Sequence, residues 1–160
     1  MAHILVICTA NICRSPVATA LLKNRLEERG LTDWTVSSAG TWAIVPRGAS
    51  RHSIEVMQRN GFDITGHRAR MVDEVMVADA DLVLCMEEGH AEALRIEFPA
   101  QVNKVFLLSE MIGQTFSVTD PYGGPYQEYE LMYDGMEDLI DSGLDRIIDL
   151  ASTNVAAHQG

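Results

Sequence analysis

An apolar run, Ile4-Leu5-Val6-Ile7, stops at Cys8-Thr9-Ala10-Asn11-Ile12-Cys13-Arg14-Ser15-Pro16. An apolar run of this kind reads as a strand. Ser15 is a good N-cap and Pro16 a good first helical residue, so the pattern predicts a helix from Pro16 onward. A cysteine six residues before an arginine, between strand and helix, is the layout of a phosphate-cradling nucleophilic loop. The N–H groups of residues 9 to 14 can curl into an anion nest. The helix start adds the positive end of its dipole, and Arg14 offers a planar fork to two phosphate oxygens. In that field the Cys8 thiol should lose its proton readily and become a nucleophile. A structural cysteine ahead of a capped helix would leave the same trace, so the motif needs a partner.

That partner lies more than 100 residues downstream, in Asp120-Pro121-Tyr122-Gly123-Gly124-Pro125. Asp before Pro is pushed toward extended backbone, which can project its carboxyl group from a loop. A phosphomonoester leaving group departs poorly unless protonated, so a general acid is wanted opposite the nucleophile. Taken alone, Asp-Pro beside Gly-Gly is ordinary turn chemistry. Together with the cysteine loop it reads as the second half of a site.

The rest of the chain alternates strand and helix. Strands are expected at 3–8, 34–38, 81–86 and 103–107, and helices at 16–29, 50–60, 72–77, 88–97 and 126–151. Ala18, Leu21, Leu22 and Leu26 mark the buried face of the first helix, and Gly30 closes it. Such alternation implies an α/β single-domain, open, four-stranded parallel sheet flanked by helices, with right-handed crossovers. The cysteine loop then sits beyond the carboxyl end of strand one, where open α/β sheets bind ligands. Residues 1–151 are expected to form one domain and 152–160 a flexible tail.

Composition narrows the class. With 160 residues, 47% of them hydrophobic, the chain can build one ordinary core. No stretch reaches the length of a membrane span, and Met1-Ala-His3 leads directly into a strand with no room for a signal peptide. Three cysteines without metal-ligand spacing suit a reducing cytoplasm better than a disulfide framework. The formal charge of −11 argues against nucleic acid or an acidic membrane as partners. A chain this acidic must attract phosphate through local dipoles and Arg14.

The sequence resembles the low-molecular-weight protein tyrosine phosphatase family from about Ile4 to Leu150. The resemblance rests on Val6-Ile-Cys-Thr-Ala-Asn-Ile-Cys-Arg-Ser-Pro16, Ser38-Ala-Gly40, Gly66-His67, Ala80-Asp-Leu-Val-Leu-Cys-Met86 and Asp120-Pro-Tyr122. It implies a flavodoxin-like, phosphotyrosine phosphatase I-like fold. It also implies Cys8 as nucleophile, Arg14 as phosphate clamp and Asp120 as general acid. Thr9, Ala10, Asn11, Ile12, Cys13 and Ser15 would complete the phosphate-binding loop. Asn11, Ser15, Ser38 and His67 match the family's buried polar network, which holds the loop Asn in a left-handed conformation. Ser15 could also hydrogen-bond the Cys8 sulfur. Ala10 is a departure, since the family usually has Gly there, and it would be strained if that position needs positive φ.

The implied reaction is a metal-independent, cofactor-free double displacement through phosphocysteine, on a phosphorylated protein with phosphotyrosine as the reacting residue. The enzyme would be a monomer or weak dimer. Ile12, Trp42, Ile44 and Tyr122 would line the substrate slot. Arg47, Arg51, Arg68 and Arg70 either rim it or are solvated surface arginines. The related protein arginine phosphatases share the Asp-Pro-aromatic-Gly-Gly stretch but carry Thr where this chain has Ile12, which favours phosphotyrosine. A thioredoxin-coupled arsenate reductase would need further cysteines, and Cys85 has no second thiol nearby. A phosphate carrier would gain nothing from Asp120. Cys13, five residues from Cys8, could form a reversible disulfide with it on oxidation. Tyr122, Tyr126 and Tyr129 are either kinase targets or simply surface tyrosines opening the last helix.

Overall fold

The structure is a computed structural model and describes residues 1–43 and 45–159, with side chains as far as Val155. Strand β1 (His3–Cys8) leads through the cysteine loop into α1 (Arg14–Glu28) and then β2 (Thr35–Gly40). Helices α2 (Arg51–Arg59) and α3 (Glu74–Asp79) precede β3 (Leu82–Cys85), and α4 (Glu88–Glu97) follows it. A 3-10 stretch, Pro99–Lys104, introduces β4 (Val105–Leu107), a second covers Leu108–Ile112, and α5 (Tyr126–Gln159) ends the fold.

The four strands are all parallel, in the order β2-β1-β3-β4. Cys8 pairs with Gly40 on one side, and Ile7 with Cys85 on the other. The chain leaves β1 for one edge of the sheet and returns to the other side of β1 for β3. That reversal opens a crevice at the carboxyl end of β1, where the cysteine loop begins.

Successive residues of β1 face opposite layers. Ile4, Val6 and Cys8 pack with Val17, Leu21 and Leu22 of α1, Val56 and Met57 of α2, and Met132, Met136 and Ile140 of α5. Leu5 and Ile7 pack with Val77 of α3 and with Ala91 and Leu94 of α4. Both faces of β1 are covered, which explains the unbroken apolar run. Across the first layer, Arg25 of α1 bonds Glu137 and Asp141 of α5 at 2.9 and 2.8 Å.

Most boundaries shift by one or two residues from the sequence reading, and two of the shifts change what a residue does. Helix α1 starts at Arg14 with Cys13 at its N-cap, so Pro16 is the third helical residue and Ser15 caps nothing. The first turn of a helix donates no internal N–H bonds, so Pro16 is tolerated there. The second difference is that α5 continues to Gln159, so the stretch expected to trail as a loose tail is helical backbone. Ala151 is buried there. Asn154 Nδ2 donates to the Asp81 carbonyl at 2.6 Å, which ties this last part to the sheet.

Candidate active site

The loop from Cys8 to Cys13 is shaped by donors that surround it. The Cys8 carbonyl accepts from Thr41 N (3.1 Å), Thr9 from Trp42 N (2.9 Å) and Ile12 from Ser50 N (2.8 Å). The Asn11 carbonyl accepts from His67 Nε2 at 2.6 Å, and the Cys13 carbonyl from the Ser53 hydroxyl at 3.1 Å. A trans peptide points its C=O and the following N–H in opposite directions. With these carbonyls turned outward, the N–H groups of Thr9, Ala10, Ile12, Cys13 and Arg14 turn inward, and the loop becomes an anion nest. Gly40 backs it closely: a Cβ there would overlap the Thr9 carbonyl oxygen and lie 3.1 Å from Asn11 N.

Asn11 is the one non-glycine residue among those described with positive φ, at 61°. It is fully buried. Its Nδ2 donates to Ser15 Oγ at 2.7 Å and to Ser38 Oγ at 2.9 Å, while its Oδ1 accepts from Arg70 N at 2.9 Å. Burial pulls His67 below the ordinary imidazole range, although the Asn11 carbonyl favours its charged form. Ser15, left free of capping, stands 3.0 Å from Cys8 Sγ. Its oxygen already accepts from Asn11, so its proton is available to a sulfur anion, which can only accept. Ala10 is outside the left-handed region and carries no backbone strain.

Arg14 is 1% exposed and held edge-on. Nη1 donates to the Val118 carbonyl at 2.8 Å, and Nη2 to Glu87 Oε2 at 3.1 Å and Thr9 Oγ1 at 3.3 Å. Asp120 Oδ2 lies 3.5 Å from the same Nη2. The buried Nε–H has no partner among the described residues. Asp120 Oδ1 accepts from Tyr122 N at 3.1 Å, so the turn predicted from Asp-Pro orients the carboxylate.

These groups share a cavity of about 220 Å³ lined by Cys8, Thr9, Ala10, Ile12, Cys13 and Arg14, with Trp42, Arg47, Asp120 and Tyr122 above them. A larger hollow of about 530 Å³ lies between residues 112–121 and α5. It brings no cysteine and no cationic side chain to its walls, so of these two cavities the smaller holds the reactive groups. Trp42 is 75% exposed and Tyr122 58%, so both stand at the mouth rather than packing into the core. Ile44 lies outside the described residues.

The four arginines part company. Arg47 lines the cavity. Arg70, although exposed, lays its guanidinium on the Ser38 carbonyl at 3.2 Å. Arg51 pairs with Glu55 at 2.9 Å, and Arg68 donates to the His67 carbonyl at 2.7 Å. Tyr129, expected at the surface, is buried with its hydroxyl 3.6 Å from Cys13 Sγ and pushed up to about 12 by burial. Tyr126 is half-buried between His52 and Arg59. Cys85 is fully buried in β3, and burial pushes its thiol far up, which makes it a packing residue.

Sequence reasoning missed Glu87 and His90, which reach the loop from the start of α4. Glu87 follows strand three immediately, and carboxyl ends of strands in an α/β sheet are where site residues gather. That position was the available signal.

The model of the low molecular weight phosphotyrosine protein phosphatase family matches residues 3–150. The chain is 35% identical over 144 residues to EpsP of Ralstonia nicotianae, named a probable low molecular weight protein-tyrosine-phosphatase, covering 90% of this chain and 94% of that one. It is 36% identical over 140 residues to the protein-arginine-phosphatase of Geobacillus stearothermophilus, covering 87% and 91%. The crystal structure of a low molecular weight protein tyrosine phosphatase from T. tengcongensis superposes with a TM-score of 0.86 at 34% identity, covering 91% and 99%. The chain belongs to the low molecular weight phosphotyrosine protein phosphatase family.

Proposed function

We propose that the chain hydrolyses phosphotyrosine in proteins, with Cys8 as nucleophile, Arg14 as phosphate clamp and Asp120 as acid and then base. The observation that carries this is the single cavity in which all three meet beneath two exposed aromatic rings, Trp42 and Tyr122. The Cys8 sulfur, as thiolate, attacks phosphorus in line with the leaving oxygen. The inward N–H groups and the unspent Arg14 Nε–H take the equatorial oxygens. The sulfur–phosphorus bond forms as the phosphorus–oxygen bond breaks, and protonated Asp120 gives its proton to the departing phenol oxygen. Asp120, now a carboxylate, takes a proton from water, which attacks phosphorus and releases inorganic phosphate. The returning Cys8 thiolate is received by the Ser15 hydroxyl, 3.0 Å away.

The phenyl ring of the substrate passes between Trp42 and Tyr122, with Ile12 as an apolar side of the slot and Arg47 at its wall. Three cysteines held as free thiols suit the reducing cytoplasm. Phosphoarginine is the second reading, favoured by the similarity to a protein-arginine-phosphatase. Ile12 opposes it, because it offers a guanidinium no hydroxyl.

Steady-state hydrolysis of phosphotyrosine and phosphoarginine peptides by wild type, Cys8→Ser, Asp120→Asn and Ile12→Thr tests both. Phosphotyrosine turnover that vanishes in Cys8→Ser and drops about a hundredfold or more in Asp120→Asn supports the first reading. Preference for phosphoarginine in the wild type overturns it in favour of the second.

A further inference from the structure

We infer that His90 is a positioning residue for the phosphate loop, acting through the Thr9 hydroxyl on Arg14. The inference rests on the phosphatase reading of the same cavity.

The proton on His90 can be placed by elimination. Glu87 N–H donates to His90 Nδ1 at 3.2 Å, so Nδ1 is unprotonated and the neutral ring carries its hydrogen on Nε2. Burial holds the ring below the ordinary imidazole range, although Glu87 pulls the other way, so this neutral form is the one present near neutrality. Nε2–H then has two acceptors, Thr9 Oγ1 at 2.8 Å and Glu87 Oε2 at 3.1 Å.

The hydroxyl of Thr9 is therefore fully committed. Its oxygen accepts from His90 Nε2 and from Arg14 Nη2, which leaves its own proton for Glu87 Oε2 at 3.4 Å. Three hydrogen bonds hold Arg14, from Nη1 to Val118 O and from Nη2 to Glu87 and Thr9, with Asp120 Oδ2 a further 3.5 Å ion-pair partner of Nη2. Of these, the Thr9 acceptor alone sits on the phosphate loop itself, so it sets the angle between guanidinium and nest. Without the imidazole donor the Thr9 hydroxyl can rotate, and Nη2 loses an acceptor of defined direction. His90 is 6% exposed and Arg14 1%, so no bulk water replaces the lost bond cheaply.

The bland alternative is that His90 only caps α4 through Nδ1. Two substitutions separate the roles by reach. In His90→Asn the amide oxygen can take the Glu87 N–H, but nothing reaches Thr9. In His90→Gln the amide nitrogen can reach Thr9. Inorganic phosphate affinity by calorimetry, and kcat/KM on p-nitrophenyl phosphate, are measured for wild type, His90→Asn, His90→Gln, Thr9→Val and the His90→Asn/Thr9→Val double variant. We expect His90→Asn and Thr9→Val each to weaken phosphate binding and kcat/KM by about tenfold, with His90→Gln recovering most of the loss. The double variant should be no worse than the poorer single one, because both remove the same bond.

His90→Asn with wild-type phosphate affinity and turnover, or losses that multiply in the double variant, overturns the inference. A wild type that neither binds phosphate nor turns over the ester overturns the phosphatase reading as well, and the wild-type arm shows it. Should His90→Asn fail to fold, a Thr9→Val variant with wild-type phosphate affinity still refutes the inference, and a tenfold weaker one sustains it.

Discussion

The side-chain oxygen of Asn11 accepts the backbone N–H of Arg70 at 2.9 Å, and this bond joins the cysteine loop to the segment that follows His67. With Ser15 and Ser38 on its nitrogen, Asn11 has a partner for its acceptor and for both donors while its backbone sits at φ 61°. Asn11→Ala should cost about 2–4 kcal/mol in urea denaturation, from the lost bonds and the left-handed penalty together. The kcat/KM should fall roughly a hundredfold as the nest loses its shape. Asn11→Gly removes the backbone strain but not the lost bonds, so it should recover part of the stability and little of the rate.

Gly40 is fixed opposite Cys8 by the β1–β2 ladder, and an added methyl would strike the Thr9 carbonyl, with Ala10 C only 3.2 Å away. Backbone cannot yield there without moving the nest. Gly40→Ala should lower stability by about 1–3 kcal/mol and kcat/KM by roughly a hundredfold, a disproportion that steady-state kinetics beside a urea melt would expose.

Ala10, by contrast, meets no such constraint, because its φ is outside the left-handed region. Ala10→Gly should leave kcat/KM within about threefold and cost about 0.5–1 kcal/mol through the extra freedom of the unfolded chain. A large rise in rate on that change would show that the methyl group crowds the substrate.

The central strand, the cysteine loop and the Asp-Pro turn were legible because their signals are local: an apolar run, a short spacing, a turn dipeptide. What escaped was tertiary. Ser15 looked like a helix cap, yet its hydroxyl is taken by Cys8 and Asn11, and the helix begins two residues earlier, at Arg14. The last helix was expected to end at 151, yet it runs to Gln159, and its Asn154 reaches the Asp81 carbonyl from 73 positions away. Glu87 and His90 carry no motif; the fold brings them to Arg14 and Thr9. Arg47 and Arg70 looked equivalent, and both are exposed; only their tertiary contacts, the cavity for Arg47 and the Ser38 carbonyl for Arg70, tell them apart.

Three histidines give stability a common pH sign. Burial lowers His3, His67 and His90 from the ordinary value of 6.5. The unfolded chain therefore binds protons at a higher pH than the folded one, and stability rises with pH across that interval. Their contribution is fully present above the unfolded value and is lost as pH falls through the folded ones. Urea melts at about pH 7.5 and about pH 5.5 should show lower stability at the acid end. His67→Gln, which can still donate to the Asn11 carbonyl, should flatten part of that slope while keeping the high-pH stability. An unchanged slope would mean that the His67 ring titrates alike in both states.

The thiols should react in a set order. Cys13 Sγ is enclosed by the Ser50 and Tyr129 hydroxyls at 3.4 and 3.6 Å, and burial pushes its thiol up. Cys85 is sealed within the sheet, with its thiol pushed up much further. Cys8 lines the cavity beside the inward N–H groups of its own loop. Brief treatment of the folded protein with iodoacetate at about pH 7 should alkylate Cys8 first, and inorganic phosphate should slow that reaction by occupying the nest. Cys85 should label only after unfolding. With peroxide, Cys8 passes to the sulfenic acid with loss of water, and attack by the Cys13 sulfur expels a second water to leave a disulfide. Dithiothreitol should then restore activity to the wild type far better than to Cys13→Ser, whose Cys8 has no neighbour to stop further oxidation. Equal recovery in the two proteins, with Cys8 and Cys13 never found joined in peptide maps, would make Cys13 a packing residue alone.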